Sequence, residues 1–230
     1  IFGQKLILKA GYFHNIFDHQ IDYIDKGTLQ NVFGIQSSVA KLYGAELNTL
    51  AFRAQGLETE LQYQPFHRVF LRGGYTYLAA VVLRSFSTDA IANGTAATNP
   101  NLPGVAIGSS YPLIGARPFR RPPHTGFFAV QYAGSKFSAA LKGTLVSRSD
   151  DSTFLTYSDF NGGNTLLLPN RDLDFGYTKL DANILYAASR RVTAFTQLDN
   201  LLGQQHTGPI GYPGLPFTIR AGLKIRMGGN

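Results

Sequence analysis

Asp18, His19, Asp22 and Asp25 offer the oxygen and nitrogen donors that bind a divalent cation. Their spacing is that of residues on an extended segment near a loop base, where such groups more often form a solvated rim, and no metal site is assigned to them. A hydrolytic centre would need a serine, a histidine and an acid held in contact. His124, Ser147 and Asp150 have the right types but stand as loose residues in or beside connections. No GxSxG elbow, HExxH pair or GxxxxGK phosphate loop occurs, and Gly73-Gly74 sits mid-strand, where small residues ease curvature or close packing. The sequence therefore gives no reason to expect a catalytic residue, a metal or a cofactor. What remains is a set of polar residues set singly between apolar ones: Glu58, Glu60, Arg72, Lys142, Lys179, Asp181, Asn183, Arg220, Lys224 and Arg226.

That interleaving is the mark of strands. Successive side chains of a strand point to opposite faces, so period-2 alternation makes one greasy and one wet face. The clearest case is the terminal run: Phe217, Ile219, Ala221, Leu223, Ile225 and Met227 alternate with Thr218, Arg220, Gly222, Lys224 and Arg226. Seven further strands can be drawn at about 5–24, 45–64, 68–84, 125–132, 136–146, 176–187 and 192–200. Three connections are tight turns, at Pro65-Phe66-His67, Ala133-Gly134-Ser135 and Ser189-Arg190-Arg191. The other four, at about 25–43, 85–124, 147–175 and 201–215, are long and rich in Gly, Asn, Ser, Thr and Pro. Tight and long connections alternate strictly, so all the long ones fall at one end of the sheet.

Long structureless loops argue against a strand assignment in a compact soluble domain, but they are expected of an outer-membrane β-barrel, with short turns on one side and long loops on the other. No stretch approaches the roughly 20 consecutive apolar residues of a membrane helix, whereas barrel strands dilute their apolar residues by alternation. Tyr63, Tyr132, Phe137 and Tyr186 lie near the tight turns, and Tyr75, Tyr77, Tyr177 and Phe217 near the long loops, as two interfacial belts would. A soluble β-sandwich with an aromatic core is the competing architecture; it would not need charges on the opposite face together with long loops at one end only. Lys and Arg, for a net charge of +7, are scattered along strands and never form a run of five or more; the densest clusters, Arg120-Arg121 and Arg190-Arg191, sit at connections, which speaks against nucleic acid as a partner. There is no cysteine and no recognisable leader at Ile1-Phe2-Gly3-Gln4, and the chain reads as a mature product or a C-terminal piece that begins inside a strand.

Two kinds of resemblance sharpen this. The end of the chain, Arg220-Ala-Gly222-Leu-Lys-Ile225-Arg-Met227, resembles the assembly signal of outer-membrane proteins, with Arg220, Gly222, Ile225 and Met227 in its fixed places. Many such proteins end on an aromatic residue, whereas this chain runs on as Gly228-Gly229-Asn230. Further segments resemble the C-terminal barrel of TonB-dependent outer-membrane receptors. These are Gly11-Tyr-Phe-His-Asn15 with Asp18 and Ile21, Gly56-Leu-Glu-Thr-Glu-Leu-Gln-Tyr-Gln-Pro65 with Gly74-Tyr-Thr-Tyr-Leu78, Gly176-Tyr-Thr-Lys-Leu-Asp-Ala182, and Asp199-Asn-Leu-Leu202 with Gly211-Tyr-Pro213.

The resemblance implies an all-β, antiparallel up-and-down transmembrane barrel. Residues 1–230 would form one segment of about eight strands, the C-terminal part of a twenty-two-stranded barrel, with no counterpart here of the plug domain or TonB box. It implies an outer-membrane receptor for energised uptake of a scarce solute such as a ferric siderophore, cobalamin or oligosaccharide. Its partners would be outer-membrane lipid, the TonB complex through a plug, the barrel-assembly machinery and the cargo. If the apolar positions face lipid, the polar set above lines the lumen, and its basic excess would favour anionic cargo. Phe86, Tyr111, Phe154, Tyr157, Phe160 and Tyr212, in the long loops, are candidates to stack on cargo rings, or simply to pack the loops. The alternative is a self-contained eight-stranded barrel acting as a small porin, adhesin or anchor. That architecture requires the first and last strands to pair, whereas a receptor segment leaves them open.

Overall fold

In the computed structural model the described residues are 6–35, 44–86, 114–115, 117–149, 176–205 and 214–227. They form eight strands: β1 (Leu6–Asp25), β2 (Gly44–Phe66), β3 (Val69–Arg84), β4 (His124–Ala133), β5 (Phe137–Val146), β6 (Tyr177–Ala187), β7 (Val192–Asp199) and β8 (Thr218–Ile225). One six-residue helix, α1 (Lys26–Asn31), follows β1. The strands join in chain order into a single antiparallel sheet, β1 to β8, and β1 and β8 do not pair with each other. The open edges are those required of a segment and not those of a closed eight-stranded barrel. One layer of strands is likewise not a sandwich, which needs a second sheet over its apolar face.

The tight turns fall where the alternation breaks. Phe66 still pairs with Val69, so the first turn is His67–Arg68, past an irregularity after Tyr63; proline at position 65 has no N–H to give the ladder. Gly134 donates its N–H to the Phe137 carbonyl at 2.9 Å and closes the second turn. In the third, the Ser189 hydroxyl accepts from the N–H groups of Arg191 (3.2 Å) and Val192 (3.1 Å). The helix α1 was not legible in the alternation. Leu29 from it is buried, and it joins Ile24, Ala51, Ala54, Ala80 and Val82 as the only buried apolar side chains among the described residues. Among them Val82 has Leu50 and Phe119 packed against it, a small cluster at the long-connection end.

The cross-strand register fixes the faces. One row runs Leu61, Gly73, Phe128, Gly143 and Leu180, and its neighbour Tyr63, Leu71, Val130, Leu141, Ala182 and Leu198. The next row over, Gln62, Arg72, Ala129, Lys142 and Asp181, lies on the other face. Large apolar side chains on the first face are exposed in the sheet alone: Leu8 by 72%, Leu57, Val130, Leu145, Ile184 and Leu223 by lesser amounts. On β4 this face runs from Tyr132 to His124, eight steps along the strand, or ~26 Å at ~3.3 Å per step. Tilted by about 40°, that spans ~20 Å, close to the ~25 Å apolar band of a membrane barrel.

The band is bounded by rings. Tyr132 and Phe137 meet at 6.1 Å beside the second turn. At the other end the Tyr75 hydroxyl and His124 Nδ1 are 2.7 Å apart, and the His124 ring lies 5.3 Å from that of Tyr77. Tyr177 departs from the expected belt: it pairs with Val146, on the face of Lys179 and Asp181. Beyond Tyr12 the apolar face turns polar, with His14 bonded to Gln55 (3.1 Å) and then Arg53, opposite Ile16. The β1–β2 ribbon therefore continues well past the band.

Three glycines on this sheet are seats for aromatic rings. Gly74 faces Phe127, Gly143 faces Phe128 and Gly222 faces Phe195, each directly across the ladder. A Cβ at Gly74 would meet the Phe127 ring at 2.5 Å, and one at Gly222 the Phe195 ring at 2.8 Å. Gly56 is more constrained still, since a Cβ there would collide with the Tyr77 carbonyl. Such ring-over-glycine pairs protect a backbone that has no side chain of its own.

Candidate functional site

The alternation that makes one face greasy puts nine of the ten expected polar residues on the other, Arg226 lying past the end of β8. Glu58, Glu60, Arg72, Lys142, Lys179, Asp181, Asn183, Arg220 and Lys224 all fall on this polar face by register. The face is hollowed: a cavity of about 990 Å³ is lined by residues of β1 to β5, among them Lys9, Glu60, Arg72, Phe127, Gln131 and Lys142.

Ion pairs organise it. Glu60 accepts from Arg72 at 2.8 Å and from Gln62 at 2.8 Å, with Lys9 3.6 Å from its other oxygen. The Arg72 guanidinium also lies 5.6 Å from the Phe127 ring centroid, a cation–π distance. Lys179 pairs with Asp181 at 3.1 Å, and Arg220 with Asp199 at 2.7 Å. Lys142, opposite Asp181 in register, has no such carboxylate partner among the described residues, because Asp181 is taken by Lys179 and by the Asn200 N–H at 2.9 Å. Glu58 is likewise without an ion-pair partner among the described residues.

Two polar centres at the long-connection end went unread in the sequence. Asp22, expected on a solvated rim, is only 6% exposed. Its Oδ2 accepts from Ser85 Oγ (2.9 Å), the Phe86 N–H (3.0 Å) and Thr49 Oγ1 (3.3 Å). One carboxyl thus ties β1 and β2 to the root of the connection after β3. Phe86 adds an edge-to-face contact with Phe33 at 5.0 Å, so this ring packs two loop roots together. The second centre is Asn200, 4% exposed, at φ 54°. Its Nδ2 donates to the carbonyls of Gln204 and Leu215, both at 3.0 Å, and closes the base of the β7–β8 connection. A short polar residue that tolerates left-handed backbone is what this bend demands. The Asp199-Asn200-Leu-Leu motif carried that signal.

The other expected chemistry is dispersed. Asp18 accepts from the His19 N–H at 2.8 Å and pairs with Arg84, which also donates to the Thr49 carbonyl at 2.9 Å. The His19 N–H and the Arg84 cation hold the Asp18 carboxyl below the usual carboxylate range. Asp18 and Asp22 thus bond to different partners, and among the described residues no three His, Asp or Glu side chains gather as a cation would require. Ser147 Oγ accepts from the backbone N–H of His124 at 3.0 Å, while the His124 ring turns to Tyr75. Asp150 lies outside the described residues, as do Tyr111, Phe154, Tyr157, Phe160 and Tyr212.

Residues 1–201 match the family model described as TonB dependent receptor-like, beta-barrel. The chain belongs to the TonB-dependent receptor family. No curated protein matches this TonB-dependent receptor barrel by sequence. Among solved structures it is similar to the ferric-catecholate import receptor Fiu of E. coli K12 in its closed form, at 17% identity and TM-score 0.57, covering 98% of this chain and 26% of that one. The ferripyoverdine receptor of Pseudomonas aeruginosa, bound to ferripyoverdine, matches at 11% identity and TM-score 0.60, covering 96% and 25%. The copper transporter OprC matches at 16% and 0.57, covering 97% and 28%. At these identities the likeness is one of fold, and the chain spans about a quarter of each receptor's length.

Proposed function

We propose that this chain forms eight strands of the wall of an outer-membrane receptor that imports a scarce solute with energy from the TonB complex. The observation that carries the reading is the open sheet with a ringed apolar face on one side and a hollowed, ion-paired polar face on the other. On this reading the apolar face meets lipid, and the polar face lines the lumen of a barrel of about twenty-two strands. The free edges of β1 and β8 join the strands of the parent chain. A plug domain of that chain occupies the lumen, contacts the TonB complex and meets the unpaired Lys142 and Glu58. The cargo is an anionic ferric chelate, which the basic excess of the chain favours and which fits the ferric-catecholate and ferripyoverdine names of similar receptors. Cobalamin and oligosaccharide are the alternatives within the same machinery.

The test is uptake of radiolabelled ferric chelates by iron-starved cells whose only receptor is the intact parent protein. Uptake should stop on deletion of TonB or on collapse of the proton gradient. Passage that is equally fast in both conditions would mean a passive pore and overturn the reading.

A further inference from the structure

The terminal motif Arg220, Gly222, Ile225 and Met227 is divided between the two faces of the sheet. Ile225 is on the apolar side by register, exposed by 58%, and Met227, two residues past it, is exposed by 87%. Arg220 and Gly222 are on the polar side and already engaged with β7. Arg220 pairs with Asp199 at 2.7 Å, and Asp199 also accepts from Gln197, which stands directly opposite Arg220. Gly222 stands opposite Phe195, whose ring lies across it: a Cβ at Gly222 would come within 2.8 Å of Cζ and 2.9 Å of Cε1. Lys224, one step further along the same face, places its ammonium 5.8 Å from the centroid of the same ring. Every one of these contacts lies within the β7–β8 hairpin.

We propose that Gly222 is a positioning residue that seats the Phe195 ring and so closes the terminal hairpin through contacts of its own. The proposal rests on reading the terminus as an assembly motif. It assigns half of that motif to the hairpin itself, and leaves only Ile225 and Met227 to an outside reader. The physical reason is that the ring covers a stretch of β8 backbone that glycine would otherwise leave bare, and that the Lys224 ammonium lies over the same ring. Any side chain at residue 222 must displace the ring, and with it the Lys224 contact.

A substitution with opposite signs under the two explanations is Gly222→Val. Valine favours strands and glycine weakens them, so propensity alone predicts better folding. Seating of the ring predicts worse. In the intact receptor, the folded fraction in the outer membrane, read as the heat-modifiable band on gels, should fall at least fivefold in Gly222→Val. Phe195→Ala combined with Gly222→Val should return to within twofold of Phe195→Ala alone. Urea-unfolded receptor refolding into short-chain phosphatidylcholine vesicles, with no assembly protein present, should show the same order. A double variant no better than Gly222→Val, or wild-type refolding of Gly222→Val in vesicles, would overturn the proposal. Met227→Ser separates the two readings: normal assembly of that variant in cells removes the assembly-motif reading, while the Gly222–Phe195 result still decides the hairpin.

Discussion

Removing the Asp22 carboxyl should release the root of the connection after β3 without unfolding the barrel wall. Asp22→Ala withdraws an acceptor from the Ser85 hydroxyl and the Phe86 N–H, at 2.9 and 3.0 Å, and from Thr49 at 3.3 Å. A hydrogen bond to a charged group is worth roughly 1.5–3 kcal/mol, and losing the partner of a buried donor costs about 1–3 kcal/mol. The Thr49 bond is long and part-buried, so about 3 kcal/mol is expected for the three together. At 1.4 kcal/mol per tenfold, that is roughly a 100-fold rise in local opening. All three donors meet one oxygen, Oδ2, and the amide of the Asp22→Asn variant can place its carbonyl there. That variant should lose only about 1 kcal/mol, roughly fivefold. Hydrogen–deuterium exchange of the intact receptor reads this directly at the Phe86 amide, with β5–β6 peptides as the unmoved reference. Exchange at Phe86 in Asp22→Ala within threefold of wild type, or Asp22→Asn as fast as Asp22→Ala, would refute the reasoning.

Other consequences are as direct. Asn200→Ala should speed exchange across residues 201–205 and 214–217 by roughly 10- to 100-fold, since it loses two carbonyl bonds and strains a φ of 54°. Asn200→Gly, which tolerates that φ but lacks the amide, should fall in between. Leu141→Arg, on the apolar face, should destabilise folding in bilayers by about 2–4 kcal/mol, whereas Lys142→Gln one residue on should stay within about 0.5 kcal/mol, both read by urea titration in vesicles. Asp18 lies beyond the apolar band with its carboxyl held below the usual range, so its tie to Arg84 is present above about pH 4 and is lost as pH falls through the lowered value. Exchange along 14–20 should therefore be flat from pH 8 to 5, once corrected for intrinsic rates, and rise only in stronger acid.

The strands were legible because period-2 alternation is imposed along the whole ladder by the need to keep one face apolar. β3, β5, β6 and β8 lie within a residue or two of where the alternation places them. Loop-end detail was not legible, for a physical reason. Above the Tyr12–Tyr77 level the two faces no longer meet different solvents, so polarity stops reporting direction. There Asp22 reads as one more acidic residue on a rim, although the bulges between Phe17 and Asp22 turn it inward. The helix Lys26–Asn31 is too short for a period to show. Tyr177 was misplaced because nearness to a loop says nothing about face; only its pairing with Val146 does. Asn200 was visible as a motif, but its two carbonyl bonds join residues whose nearness depends on the fold.

Within the polar face, sequence could give polarity but not partnership, and partnership bears most on function. Ten polar positions look equivalent along the chain, yet the folded sheet gives Glu60 to Arg72 and Lys9, Asp181 to Lys179, and Asp199 to Arg220. Charges paired in this way, across neighbouring strands or along one, brace the wall and have little field left to offer a ligand or a second domain. The residues with most to offer are those the pairing passes over. Lys142 is passed over because its register partner, Asp181, is drawn along its own strand to Lys179 and across to the Asn200 N–H. The turn that positions Asn200 therefore also supplies one of the two contacts that engage Asp181, the register partner of Lys142.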